Sequence, residues 1–264
     1  MKNIKFTVFI FLLVISCDDI GEGYSWQEGY NGFSRNFGTI GYDYGWNAAY
    51  SPYDQGIIVV GKKTPKINGQ SDLWAIKTDN SGLMKWQKTF GGINNEEGYD
   101  VIPTSDGGFL FVGYTWSFGN AQQIYAVKTN FAGGTVWEKT YGGSMWEVGY
   151  SVIEVSSGGY LIAGYSNSPG ISSGNTDIFL IKIDNNGNKI WEKAYGNPAF
   201  PNHEWAYDLI EKTDGDFMIS GARDRYSDGS VNGLVISIDI NGDIIWEKEF
   251  PDDGNNSESF YSIS

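Results

Sequence analysis

Four glutamates, Glu96, Glu147, Glu204 and Glu258, each stand a short, regular distance before an aromatic residue: Tyr99, Tyr150, Tyr207 and Tyr261. Acids placed in pairs on either side of a bond can cleave a glycosidic linkage, one as proton donor and the other as nucleophile or base. That chemistry needs two carboxyls in distinct surroundings, whereas these recur once per sequence period. The repetition favours a structural role, with each carboxylate accepting hydrogen bonds from loop amides or a neighbouring unit. Asp184-Asn-Asn-Gly-Asn188 and Asp239-Ile-Asn-Gly-Asp243 carry oxygen ligands at calcium-loop spacing but no bidentate acid closes either loop, so both read as hairpin turns. One histidine, His203, and one cysteine, Cys17, cannot supply a zinc set or a disulfide, and His203 has no evident partner for general-base work. Neither a metal nor a cofactor is expected.

The residues that depart from the repeat are aromatic and basic: Trp46, Trp146, Trp205, Phe200 and His203 in one class of loop, Trp116 and Arg223-Asp-Arg225-Tyr226 in another. Flat rings with interspersed polar groups suit stacking on sugars or gripping a peptide. Trp116, Trp146, Trp205, Arg223, Arg225 and His203 are therefore the candidate ligand-binding residues.

The elements that must position them form a repeat. Trp86-Gln-Lys-Thr-Phe90, Trp137-Glu-Lys-Thr-Tyr141, Trp191-Glu-Lys-Ala-Tyr195 and Trp246-Glu-Lys-Glu-Phe250 follow one another at 51, 54 and 55 residues, with Phe33-Ser-Arg-Asn-Phe37 as a degenerate copy 53 residues earlier. Each period holds four apolar runs of strand length and composition, here called a to d, and the second ends on Gly61, Gly113, Gly164 or Gly221. The a-to-b distance is seven residues from Tyr99 to Asp106, Tyr150 to Ser157, Tyr207 to Asp214 and Asn47 to Asp54, and the c-to-d distance is nine from Lys77 to Trp86 and its equivalents. Variation in length falls on the b-to-c and d-to-a loops. In an antiparallel four-stranded meander those loops emerge together, so the variable loops share one face.

Units of about 50 residues that cannot bury their faces alone predict an all-β protein, a β-propeller of four-stranded antiparallel blades. Ile181-Lys-Ile-Asp-Asn-Asn-Gly-Asn-Lys-Ile-Trp191 resembles the Asp-x-x-Gly-x-x-x-Trp turn of quinoprotein-like, or PQQ-like, propeller repeats, and the likeness extends over residues 33–264 to repeats of secreted and lipid-anchored bacterial proteins. A quinoprotein dehydrogenase is disfavoured, because that family commonly uses eight blades and often a vicinal cysteine pair. The repeats run about 44–90, 91–141, 142–196 and 197–250, with a partial copy over 251–264. Trp86, Trp137, Trp191 and Trp246 read as packing between blades. Strand d at 33–37 and strand a at 260–263 would leave a fifth blade without b and c, which reads as a truncated longer propeller or a four-bladed ring with surplus ends.

Residues 1–16 combine Lys2 and Lys5 with the apolar stretch Phe6–Ile15, too short to span a bilayer as a helix and typical of a signal peptide. Val14-Ile15-Ser16-Cys17 resembles the bacterial lipobox, which implies cleavage before Cys17, lipidation there, a linker over 17–32 and an extracytoplasmic, lipid-anchored protein. The address that fits is the outer membrane or cell surface of a Gram-negative bacterium. Loss of 1–16 leaves 16 basic against 32 acidic side chains, a charge that repels phosphate backbones and excludes nucleic acid as a partner. The leading expectation is a non-enzymatic scaffold that binds a protein or glycan through the loop face. A glycoside hydrolase or lyase with acids near the channel is the rival from another class, and a truncated, non-functional fragment is the third.

Overall fold

The computed structural model describes residues 35–38, 41–64, 69–168, 175–196, 202–225, 230–250 and 259–263. Sixteen strands form four sheets. The first contains β1 (Tyr44–Tyr50), β2 (Ile57–Lys63), β3 (Asp72–Thr78) and β4 (Met84–Phe90). The second contains β5 (Glu96–Pro103), β6 (Phe109–Thr115), β7 (Gln123–Thr129) and β8 (Thr135–Tyr141). The third contains β9 (Glu147–Glu154), β10 (Tyr160–Ser166), β11 (Asp177–Ile183) and β12 (Lys189–Tyr195). The fourth contains β13 (His203–Glu211), β14 (Phe217–Arg225), β15 (Ser230–Ile238) and β16 (Ile244–Phe250). Every sheet is an antiparallel meander in chain order, and no helix occurs among the described residues. The architecture is the expected all-β, four-bladed, propeller-like one.

The continuous apolar runs of strand b follow from burial on both faces. In the third blade Leu161 and Ala163 join a core shared with Leu209, Phe217 and Ile219 of the fourth, while Tyr160 and Ile162 point the other way into a core shared with Leu110, Val112 and Ile124 of the second. A third core joins the first two blades through Ile58, Val60, Phe109 and Phe111. Hydrophobic burial therefore lies between blades, and among the described residues no blade has a core of its own. Inner strands β1, β5, β9 and β13 lie side by side in sequence around the axis, and the d strands form the exposed outer edge.

The d-strand tryptophans bind each blade to the next. The Trp86 indole N–H donates to the Phe131 carbonyl (3.1 Å) and that of Trp137 to the Asn185 carbonyl (3.1 Å), each in the following blade's c-to-d turn. The ring of Trp137 lies against Gly187, whose φ of +76° belongs to the left-handed region, and a Cβ there would come within 3.1 Å of that ring. Trp246, in the fourth blade, is 43% exposed. Trp137→Ala is accordingly expected to cost about 2–4 kcal/mol, and Trp246→Ala under about 1 kcal/mol, in urea unfolding of the full chain.

Residues 259–263 continue the pattern at the far side of the fourth blade. The Phe260 ring packs edge-on to Phe250 (5.3 Å between centroids), and the Ile263 N–H donates to Asp208 Oδ2 (2.9 Å), as the Val152 N–H donates to Asp100 Oδ2 (2.8 Å). The segment thus takes the place of a next inner strand.

Candidate functional site

One irregularity recurs in every inner strand. Pairing between strands a and b skips one residue: Trp46 in β1, Tyr99 in β5, Tyr150 in β9 and Tyr207 in β13. Each is the extra residue of a β-bulge, a device that turns a side chain out of the sheet's regular alternation. The glycine closing strand b makes room for it. A Cβ on Gly113 would lie 1.8 Å from the Glu97 carbonyl oxygen, and one on Gly164 1.8 Å from that of Val148. Equal spacing pointed to Asn47 as the first blade's counterpart of Tyr99. The pairing instead makes Trp46 that counterpart, because the first blade's turn between Ser51 and Gly56 holds one residue more than that between Thr104 and Gly108.

The bulged rings meet around the axis. Trp46 lies 5.9 Å from Tyr99, Tyr99 5.2 Å from Tyr150, Tyr150 5.5 Å from Tyr207, and Tyr207 4.8 Å from Tyr261, centroid to centroid. Tyr114 and Tyr165 flank the row from strand b, and Tyr44 stacks on Trp46 at 5.7 Å. The central rings are half-buried, and the end rings Trp46 and Tyr261 are 45% and 70% exposed. This aromatic wall carries one ion pair, between Lys62 and Glu97, and the Tyr99 and Tyr114 hydroxyls also engage the Glu97 carboxylate. Burial pushes the Tyr207 phenol up to about 12 and raises those of Tyr99, Tyr114 and Tyr150, so all stay protonated as donors.

The acids beside the wall are committed to structure. Asp100 accepts from the Asn47 amide (2.7 Å), the Val101 N–H (2.7 Å) and the Val152 N–H (2.8 Å). Asp208 repeats this two blades further on, accepting from Ser151 (2.9 Å) and from the N–H groups of Leu209 and Ile263 (both 2.9 Å). These carboxylates fasten inner strands to one another below the rings. The repeated glutamates close the d-to-a loops, as their recurrence suggested. Glu96 accepts from the Gly92 N–H (2.9 Å), Thr115 (2.6 Å) and the Ser117 N–H (3.1 Å), and Glu147 from the Gly143 N–H (3.0 Å), Gln123 (3.0 Å) and Ser166 (2.8 Å). Glu258 lies outside the described residues.

Glu204 departs from this pattern. Arg223 stands where Thr115 and Ser166 stand in their blades, and its Nε donates to Glu204 Oε1 (2.9 Å) while its Nη1 reaches Glu247 (3.1 Å) and Glu249 (3.3 Å). Arg223, expected on the ligand-binding face, thus has its guanidinium enclosed by three carboxylates, with the side chain 11% exposed. Burial, working against that ion pair, pushes the Glu204 carboxyl up to about 7, and burial pushes Asp100 up to about 6. Both groups hold protons more tightly folded than unfolded. Their contribution is therefore fully present below the unfolded carboxyl range and is lost as pH rises through 6 and 7. Urea midpoints are expected to fall between pH 5 and 8, with Glu204→Gln recovering on the order of 2 kcal/mol at pH 8 and little at pH 5.

The structure brings other predicted residues together in pairs. Trp116 and Trp146 meet edge to face at 6.3 Å, 39% and 49% exposed, and each backbone N–H is held within its own blade, Trp116 by the Asn95 carbonyl (2.9 Å) and Trp146 by Asn167 Oδ1 (2.8 Å). His203 stacks on Trp205 at 5.8 Å, and its Nδ1 accepts from the Thr176 N–H (3.2 Å). Trp205 lies on β13 two residues before Tyr207, at the loop end of the wall. Arg225 ends β14, opposite Ser230. Cys17 lies outside the described residues. Among the described residues no cluster of three or more His, Cys, Asp or Glu side chains converges on a metal-sized site.

No protein-family profile matches the sequence, and no curated protein does. Among solved structures, the chain is similar to a Bifidobacterium bifidum s17 protein assigned as an exo-beta-1,3-galactanase: TM-score 0.50 and 13% identity over 81% of this chain and 74% of that one. A thermostable family-43 glycoside hydrolase gives a TM-score of 0.49 and 13% identity over 82% and 79% of the two chains. A Bacteroides caccae protein of unknown function gives 0.43 and 10% over 78% and 82%. At such identities the likeness is one of fold.

Proposed function

We propose that the chain is a lipid-anchored, extracytoplasmic β-propeller of quinoprotein-like repeats that binds a neutral glycan along the aromatic wall, entered from the loop face at Trp205 and His203. The observation that carries this reading is the row of bulged rings, Trp46, Tyr99, Tyr150 and Tyr207, continued by Tyr261. Flat apolar faces accept the C–H faces of sugar rings, and phenol hydroxyls offer donors and acceptors at their edges. A peptide would ask for backbone partners along a free strand edge, and the wall offers rings instead. The exposed Trp116–Trp146 pair extends the contact surface on the loops.

The test is calorimetric titration of the full chain in detergent with neutral, anionic and cationic oligosaccharides. Saturable binding of a neutral oligosaccharide supports the reading, and binding confined to charged ones, or to none, overturns it. The anchor is tested separately: palmitate labelling that persists in Cys17→Ser would remove it.

A second reading, glycoside hydrolysis, draws on Glu204, a buried carboxyl near neutral pKa with Oε2 unpartnered. Turnover of aryl glycosides by the full chain, abolished in Glu204→Gln, would favour hydrolysis over simple binding.

A further inference from the structure

On the rim opposite the variable loops, the repeat fails at one blade junction. Between the second and third blades the turn is clipped by Ser105, whose N–H and hydroxyl donate to Glu154 (2.7 and 2.5 Å). Between the third and fourth the same clip joins Ser156 to Glu211 (2.8 and 2.5 Å). Between the first and second, Tyr53 stands in the serine's place and Pro103 in the glutamate's, and the Tyr53 hydroxyl donates to the Thr104 carbonyl instead (2.5 Å). An open groove of about 560 Å³ results.

Two further departures line that groove. Phe131 occupies the turn position held by Asn80 and Asn185 in the first and third blades, and Asn130 the position held by Asp79, Asp184 and Asp239 in the other three. The Phe131 ring is 41% exposed, stacked on Phe109 at 6.0 Å, and Tyr53 is 48% exposed. Asp54 and Asp106 flank the groove, each neutralised by a buried lysine: Lys77 at 2.6 Å and Lys128 at 2.8 Å. Two substitutions away from the repeat, proline for glutamate and asparagine for aspartate, each remove a carboxylate from this junction in a chain of net charge −14.

We propose that this groove is a second binding site, for one or two neutral pyranose units, separate from the aromatic wall. Balanced Asp–Lys pairs leave no net charge to attract an ion. The half-exposed Tyr53 and Phe131 rings, the latter with the Lys77 ammonium 5.5 Å over it, supply apolar contact surface, and the outward side of Asp106, 60% exposed, supplies an acceptor for sugar hydroxyls. The inference stands on the groove alone and does not depend on the wall.

Saturation-transfer NMR on the full chain in detergent tests it, with cellotriose and maltotriose as neutral probes, trigalacturonate as the anionic one and chitosan trimer as the cationic one. In the Tyr150→Ala background, where the wall is interrupted, transfer to a neutral probe is expected to persist, with affinity in that background about tenfold or more weaker when Tyr53→Ser or Phe131→Asn, residues the repeat itself uses at those positions, is added. Tyr53→Ser serves where Phe131→Asn fails to fold. Loss of neutral-probe binding in Tyr150→Ala alone would assign the signal to the wall and overturn the groove. Transfer confined to the charged probes, or absent from all four, would overturn it as well.

Discussion

Gly164→Ala should destabilise the full chain by at least about 3 kcal/mol, the range reserved for substitutions with no tolerated arrangement. The added Cβ would lie 1.8 Å from the Val148 carbonyl oxygen and 2.8 Å from its carbonyl carbon, both backbone atoms of the bulged strand. Neither can move without undoing the bulge that presents Tyr150. Gly107 gives the contrast: its φ is +87° but a Cβ there meets nothing within 4 Å, so Gly107→Ala should cost only about 1–2 kcal/mol of left-handed strain. Urea midpoints of the two variants measured side by side check the difference, and equal costs would mean that the close carbonyl approach does not constrain the strand.

Tyr150→Ala is the larger perturbation of function. Tyr150 touches Tyr99 on one side, Tyr207 on the other and Tyr165 behind, so its removal interrupts the row at the centre. Affinity for a neutral oligosaccharide on the wall should fall by about tenfold to a hundredfold, the scale on which buried aromatic anchors act. Tyr150→Phe keeps the ring and should retain affinity within about fivefold, since one neutral hydrogen bond contributes about 1 kcal/mol. Calorimetry on both variants, with circular dichroism confirming the sheet, separates loss of the ring from loss of the fold. Tyr150→Ala binding as tightly as the unaltered chain would exclude the wall as the contact surface.

The blade pattern could be read from the residues because its causes are local. Strand b is apolar throughout because both faces are buried, and the glycines of the c-to-d turns, such as Gly187, sit at positive φ where no side chain competes. The bulge was harder to see. Tyr99, Tyr150, Tyr207 and Tyr261 marked the spacing between strands, yet their convergence depends on one skipped pairing per blade, which leaves the apolar pattern almost intact. The available signal was the run Gly98-Tyr-Asp100, repeated as Gly149-Tyr-Ser151, Ala206-Tyr-Asp208 and Gly45-Trp-Asn47: a small residue, a ring and a short polar side chain, opposite a glycine in strand b.

Long-range partners were outside the reach of spacing. Arg223 looked available from the sequence because Glu204, Glu247 and Glu249 lie 19 to 26 residues away along the chain, and only the sheet brings them together. The Trp116–Trp146 pair was expected on one face from loop connectivity, and the structure adds their edge-to-face contact. The groove at Tyr53 and Phe131 lies on the rim of short turns, where the repeat looked most regular.

The most direct measurement is a carbon–proton correlation spectrum of the full chain with ring-labelled tyrosine, recorded while a neutral oligosaccharide is added. The Tyr99, Tyr150 and Tyr207 ring signals should shift together along one saturation curve, while Tyr195, whose hydroxyl is buried against the Gly242 carbonyl at 2.7 Å, stays fixed. Saturable binding that leaves all three wall tyrosines unmoved would contradict the account.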